Sequence, residues 1–386
     1  MFAKRTNWNM TPNRLSEALA AHRAAGKPLI DLTVSNPTEC GFEYDRAAIL
    51  EALHNPEALS YEPNPRGLES ARRAVARYYA DREEKISADD IFLTTSTSEA
   101  YSYVFRTLCD PGDELLIPSP SYPLFDFLAD IQDVSLVRYP LLYDHGWRID
   151  FHGLEQAITP RTCGVIVVHP NNPTGNFVKS AEMAKLNAIC SARDIAIIAD
   201  EVFLDFALDG SRPATFAANR GAPTFTLSGL SKISGLPQMK AAWLVVSGPQ
   251  QWKSEALARL EVIADTYLSV NAPVQLAIPK FLEQRHGFQK QLVSRMLHNL
   301  AELDRQLATQ NVVSRLKIEG GWCAVLRVPA TRSDEELAIH LLRLKGVYAH
   351  PGHFYDFSSN GFLVVSLLVL ETQCRRGISE VLILAG

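Results

Sequence analysis

Lys232 is the first residue in this chain that invites chemistry. It sits in SGLSKISGLP, directly after the apolar run TFTLS. A lysine held among apolar neighbours sheds its proton readily and can then form a Schiff base with a carbonyl; taken alone, a strand-end lysine is more often a solvated charge. Asp200 closes the run IAIIAD. A carboxylate at the end of a buried strand needs a partner, such as a pyridinium nitrogen, a metal ion or a helix N-cap. The same string mimics the acidic strand end of a P-loop NTPase, but GxxxxGK[ST] occurs nowhere in the chain. Ser96-Thr97-Ser98 opens a helical pattern, where free backbone N–H groups and the helix dipole suit a phosphate. Ser96 and Glu99 are also spaced as a capping box, which needs no ligand. HPNNPTG at 169–175 is rich in turn formers. Tyr122, in PSPSY, either stacks on a flat ring or fills the core.

Each of these groups follows an apolar run with β character. The runs are IFLTT at 91–95, ELLIP at 114–118, SLVRYPL at 135–141, GVIVVH at 164–169, DIAIIA at 194–199, TFTLS at 224–228 and AWLVVS at 242–247. Helical patterns at 98–108 and 180–192 separate several of them, and further helices are expected at 13–26 and 68–80. Near-continuous apolar strands alternating with helices predict an α/β fold in three layers, with a mostly parallel sheet covered on both faces. In such sheets ligands sit beyond the carboxyl ends of the strands, which is where the polar residues cluster. From about 252 the pattern changes to long helices at 252–266, 273–284 and 288–310. WCAVLRV at 322–328, a helix near 334–345 and LVVSLLV at 363–369 follow, predicting a smaller α+β domain. The expected division is 1–40 as an N-terminal arm joining the small domain, 41–275 as the large domain and 276–386 as the small C-terminal domain.

Composition narrows the function classes. The chain has 386 residues, 47% hydrophobic and 21% charged, with 38 Lys+Arg against 43 Asp+Glu for a net charge of −5. That mild acidity gives no electrostatic case for nucleic acid or an anionic membrane. No apolar stretch is long enough to cross a bilayer. The six cysteines are scattered without a CxxC or CxxH pair, so neither a zinc site nor a disulfide framework is expected, and no metal is assigned. The N-terminus lacks the apolar run of a signal peptide. A cytoplasmic location is the expectation.

Ser-Thr-Ser, PSPSY, NNPTG, ADE and SK, in that order, resemble the fold-type I aminotransferases that use pyridoxal 5'-phosphate, in their class I/II, aspartate-aminotransferase-like branch. The resemblance runs from VSNPT at 34–38 into the C-terminal domain. It implies that Lys232 forms the Schiff base with the cofactor and that Asp200 keeps the pyridine nitrogen protonated. Asn172 matches the residue bonded to the ring hydroxyl, Tyr122 the aromatic stacked on the ring, and Ser96, Thr97 and Ser98 the phosphate-binding turn. Tyr61, in SYEPNPRG, matches a tyrosine that reaches the partner subunit's phosphate, which implies a homodimer with shared active sites. The implied activity is transfer of an amino group between an amino acid and a 2-oxo acid.

Several positions depart from the family's pattern. The tyrosine usual three residues after the aspartate is Phe203, the phosphate-binding arginine eight residues after the lysine is Lys240, and the serine three before the lysine is Gly229. The arginine that holds the substrate α-carboxylate should fall at Val364, in FLVVSLL. Arg66, Arg375 and Arg376 are candidate substitutes. The missing arginine strengthens a rival reading, another reaction on an amino acid with the same cofactor: elimination, racemisation, decarboxylation or oxidation. A ligand-sensing regulator lacks its DNA-binding module here, and a nicotinamide-dependent oxidoreductase lacks its GxGxxG.

Overall fold

The computed structural model describes residues 2–385. Its centre is an eight-stranded sheet. In spatial order the strands are Ile91–Thr94, Ala242–Ser247, Thr224–Gly229, Ala196–Asp200, Thr162–Val168, Glu114–Ser119, Ser135–Tyr143 and Trp147–Ile149. The four pairings from Thr224–Gly229 across to Ser135–Tyr143 are parallel. The remaining pairings, which involve Ala242–Ser247 and Trp147–Ile149, are antiparallel. The seven strands expected from the apolar runs are all present, each within about two residues of its expected ends.

Strand parity explains why those runs are apolar throughout. Ala196 and Ile198 pack into one hydrophobic cluster with Leu115, Ile117, Ile166, Phe225 and Leu227. Ile197 and Ala199 point the other way, into a cluster with Leu116, Val165 and Val167. Side chains alternate with period two, so a strand covered on both faces needs an apolar residue at every position. The first cluster is completed by helices Thr97–Leu108 and Gln250–Tyr267, and the second by helix Ser180–Arg193.

A second, antiparallel sheet orders Ser314–Arg315, Cys323–Arg327, Phe362–Ser366 and His350–Pro351. Helices Asp334–Lys345 and Glu371–Ala385 pack on it. The N-terminal segment joins this unit: Ile30–Asp31 pairs in parallel with Val347–Tyr348. The sequence pattern predicts two helices over 273–284 and 288–310, whereas the structure has one, Ala272–Leu307, of 36 residues. Pro279 and Gly287 lie inside it. The expected boundary at 275/276 falls in its first turn. Its buried residues, from Val274 through Phe281 and Phe288 to Leu303, pack on clusters of both sheets, and that burial outweighs the local helix-breaking tendency of the two residues.

Contacts across the gap hold the two sheets in register. Ser121 N–H donates to Tyr355 O at 2.9 Å, Ser119 Oγ to Asp356 O at 2.9 Å, and Arg138 Nε to Asp356 Oδ2 at 2.8 Å. Among the described residues no helix is long and apolar enough to cross a membrane, and no group of three or more His, Cys, Asp or Glu side chains is placed to hold a metal ion. All six cysteines are free thiols.

Candidate active site

A cavity of about 360 Å³ lies between the carboxyl ends of the large sheet's strands and the small antiparallel sheet. Thr97, Ser98, Tyr122, Asn172, Asp200, Phe203 and Lys232 all line it. Five separate strand-end segments therefore converge on one space.

Asp200 reaches the cavity by parity. It is the last residue of Ala196–Asp200 and shares a face with Ala196 and Ile198, toward helix Thr97–Leu108. There Tyr101 donates its phenol O–H to Asp200 Oδ2 at 3.0 Å, while Val202 N–H donates to Oδ1 at 3.1 Å. Burial pushes the Asp200 carboxyl up to about 6, and the two hydrogen bonds and nearby Lys232 act against that rise. Tyr101 was not singled out from the sequence. Its signal would have been helical spacing: it lies four residues after Thr97, on the face that the sheet covers. The next residue, Glu201, points to the opposite face and serves the fold. It accepts from Thr215 Oγ1 and Phe216 N–H, both at 2.6 Å.

Lys232 follows the neighbouring strand, Thr224–Gly229, on the short helix Leu230–Ile233. Its Nζ stands 4.9 Å from the centroid of the Trp322 ring and 5.7 Å from that of Phe203. Burial lowers its pKa below the ordinary lysine value, with Asp200 opposing. An amine so placed is closer to its nucleophilic, uncharged form than a surface lysine. Phe203 packs edge-on against Trp322, with centroids 5.1 Å apart. Gly229 has a packing reason: a Cβ there would lie 2.8 Å from the Cβ of Ala242 on the adjacent strand.

HPNNPTG divides its labour. Asn171 is buried and its Nδ2 donates to Pro120 O at 3.1 Å and Thr174 Oγ1 at 2.7 Å, so it holds the turn. Asn172 lines the cavity. Gly175, at φ +72°, abuts Gly320 O and Ile318, and a Cβ would come within 2.5 Å of both. Only glycine lets this turn sit so close to the segment leading to Trp322.

At the helix start Ser96 is the N-cap, but the reciprocal half of the expected capping box is not formed. Its Oγ accepts from Glu99 N–H at 3.1 Å, and Glu99 turns its carboxylate to Thr95 N–H at 2.7 Å. Ser96 does not line the cavity; Thr97 and Ser98 do. Two further expected residues lie apart from it. Lys240 is exposed, at φ +51°. Tyr61 is 81% exposed and borders a separate depression with Asn64, Ser269 and Asn271. The small sheet contributes a wall that the sequence did not reveal: Trp322, Cys323, His350, Phe354 and Tyr355, together with Val364. None of the three candidate arginines lines the cavity. Arg66 is paired with Glu261 and Arg375 with Glu302.

Comparison with known proteins agrees with this geometry. Residues 27–379 match the family described as aminotransferase class I and II. A glutamate-pyruvate aminotransferase, AlaA, of Escherichia coli (strain K12) is 30% identical over 258 residues, which cover 66% of this chain and 63% of that relative's own length. The relative of the same name in Haemophilus influenzae is 25% identical over 366 residues, covering 92% of this chain and 90% of the relative. Among solved structures, an aminotransferase from Escherichia coli has the same fold, with a TM-score of 0.87 at 23% identity over 100% of this chain and 98% of that one. Members of the matched family use pyridoxal 5'-phosphate. With a single family pattern running through both sheets and through every segment that builds the cavity, the chain belongs to the class I and II aminotransferases.

Proposed function

We propose that this chain is a pyridoxal-phosphate-dependent aminotransferase that moves an amino group between an amino acid and a 2-oxo acid. The observation that carries the reading is the meeting of Lys232 and Asp200 in one cavity, beyond the carboxyl ends of two adjacent parallel strands. When bound, the cofactor supplies an aldehyde for the lysine amine and a ring that takes up the electron pair left behind when a proton leaves the substrate carbon.

The chain's own residues do the rest. The Lys232 amine, its pKa lowered by burial, would take the proton from the substrate carbon. Asp200, steadied by Tyr101 and Val202, would hold the proton on the cofactor's ring nitrogen. Asn172 would donate to the ring hydroxyl, and Tyr122 would cover a ring face. Thr97 and Ser98, with the N–H groups of their helix, would hold the phosphate. Tyr61, exposed outside this chain's cavity, would reach the phosphate of a second copy of the chain, which would make the active unit a homodimer with shared sites.

The exchange needs no outside oxidant. The donor carbon gives up its amino group and two electrons and takes an oxygen from water; the acceptor carbon gains the amino group and the electrons and releases water. Two half-reactions at one site predict ping-pong kinetics. Borohydride reduction of the loaded protein should tag Lys232, and Lys232→Ala should abolish turnover while the fold survives. A tag on another residue, or activity retained by Lys232→Ala, would refute the assignment. Product that forms without any oxo acceptor would instead favour elimination, racemisation, decarboxylation or oxidation.

A further inference from the structure

An amino acid and a 2-oxo acid each bring a carboxylate into the cavity. A buried carboxylate without a cation or donors is costly, so the site needs a positive group to receive it. Among the described residues no arginine borders the cavity, and its one lysine is Lys232, which on the reading above holds the cofactor. Arg66 is held by Glu261 at 2.6 Å and by Asp89 O at 2.6 Å, and Arg375 lies 3.3 Å from Glu302. Among the described residues, His350 is the remaining group on the cavity wall able to carry a positive charge.

His350 stands beside position 364, where the family's pattern has an arginine. It lies directly opposite Val364 in the antiparallel pairing of His350–Pro351 with Phe362–Ser366. Opposite residues put their side chains on one face, with Cβ atoms about 5 Å apart, and both of these line the cavity. The ring's Nδ1 is 3.0 Å from Tyr355 Oη. Its Nε2 has no hydrogen-bond partner among the described residues and, unlike the Trp322 indole nitrogen, is not sealed off from open space. The Tyr355 hydroxyl can donate to a neutral ring or accept from a protonated one. Charging the ring therefore keeps that bond and leaves Nε2–H free to donate.

The surroundings decide when the charge appears. Burial holds the His350 pKa below the ordinary histidine value, with Asp31 opposing, so the ring is neutral at neutral pH before a substrate enters. Asp31 is itself engaged, accepting at Oδ1 from Thr33 N–H at 2.8 Å and Thr33 Oγ1 at 2.6 Å. Tyr348 and Tyr355 flank the ring and Cys323 lines the same wall. Burial raises all three, so none is charged at neutral pH. Arg23 acts on Tyr348 rather than on His350. Across the cavity stand Tyr122, also raised by burial, and the pair Asp200 and Lys232. A carboxylate arriving at Nε2 reverses the balance, because an opposite charge at contact distance favours the protonated ring. We propose that His350 receives the carboxylate of the amino acid and of the 2-oxo acid, taking up a proton from solvent as that carboxylate binds and releasing it as the carboxylate leaves. The inference rests on the cofactor reading above and names the group that holds the substrates' shared charge.

The test follows that proton. Protein loaded with pyridoxal 5'-phosphate is reduced with borohydride, which locates the cofactor on Lys232 and leaves the protein unreactive. Calorimetry at about pH 7, repeated in buffers of different ionisation heat, gives affinity and proton uptake for propanoate, 3-phenylpropanoate and glutarate. At least one acid should bind with uptake of about one proton, and its affinity should fall as the pH is raised, because a deprotonated ring no longer pairs with it. His350→Gln keeps a neutral donor; it should abolish the uptake and weaken binding about tenfold or more. His350→Arg supplies a permanent cation and should bind the acid without uptake. Wild-type binding without uptake, uptake that persists in His350→Gln, or equal affinity in that variant overturns the inference, as does loaded protein that binds none of the three acids. If a variant does not fold, the wild-type uptake and pH dependence decide alone. Failure to load at Lys232 brings down the cofactor reading, and with it the inference. Loading followed by any of the contrary results brings down the inference alone.

Discussion

Asp200→Asn should make the cofactor-free protein more stable while weakening its hold on the cofactor. Burial raises the Asp200 carboxyl from 3.8 to about 6. The unfolded chain therefore loses this proton first as pH rises. Stability falls through the window between those two values, and the penalty is complete above the upper one. A shift of about two units corresponds to roughly 3 kcal/mol. Asparagine removes that penalty. Its Oδ1 still accepts from Val202 N–H, and the Tyr101 hydroxyl must turn to accept from Nδ2; allowing about 1 kcal/mol for this rearrangement leaves a gain of roughly 1–3 kcal/mol. Urea unfolding of cofactor-free protein at about pH 8 should show that gain, and it should vanish below about pH 4, where both forms of the wild type are protonated. Cofactor affinity, measured on the same preparations, should move the opposite way, because the ring nitrogen loses its anionic partner. A variant no more stable than wild type at the higher pH, or a gap that does not change with pH, would refute the claim that this carboxylate is held ionised against its surroundings.

Other expectations follow from single contacts. Tyr101→Phe keeps the ring packed against Phe125 but removes the 3.0 Å hydrogen bond to Asp200. The Asp200 carboxyl should rise by a further one to two units or so, read by carbon-13 NMR titration of cofactor-free protein. Gly229→Ser restores the side chain common in the family but drives it onto Ala242, so unfolding should occur at lower denaturant, by about 1–3 kcal/mol. Phe203→Tyr adds a hydroxyl able to bond the cofactor's ring oxygen. The pKa read from the absorbance of the Lys232-linked cofactor should then fall, and an unchanged titration would remove that role for position 203.

Much of the architecture was legible in the residues alone, because strand and helix propensity are local. The seven apolar runs became strands where expected, and the order of Ser-Thr-Ser, NNPTG, ADE and SK at strand ends was enough to bring Thr97, Asn172, Asp200 and Lys232 to one rim. Propensity was less informative at 273–310, where long-range burial joins two expected helices into one across Gly287.

What the sequence could not decide was direction. Asp200 and Glu201 are neighbours of the same charge, yet strand parity turns one into the cavity and the other to Thr215. Asn171 and Asn172 divide in the same way between a turn and the site, as do Ser96 and its two successors between a helix cap and the cavity. Tyr101 becomes a partner of Asp200 only once its helix packs on the sheet. Trp322 and Val364 reach the site from a second sheet, roughly a hundred residues further along the chain. Residue types and local spacing determined which chemical groups this chain carries and which elements bear them. Which groups face one another was decided only by packing those elements together, since the burial of each face depends on residues distant in the chain.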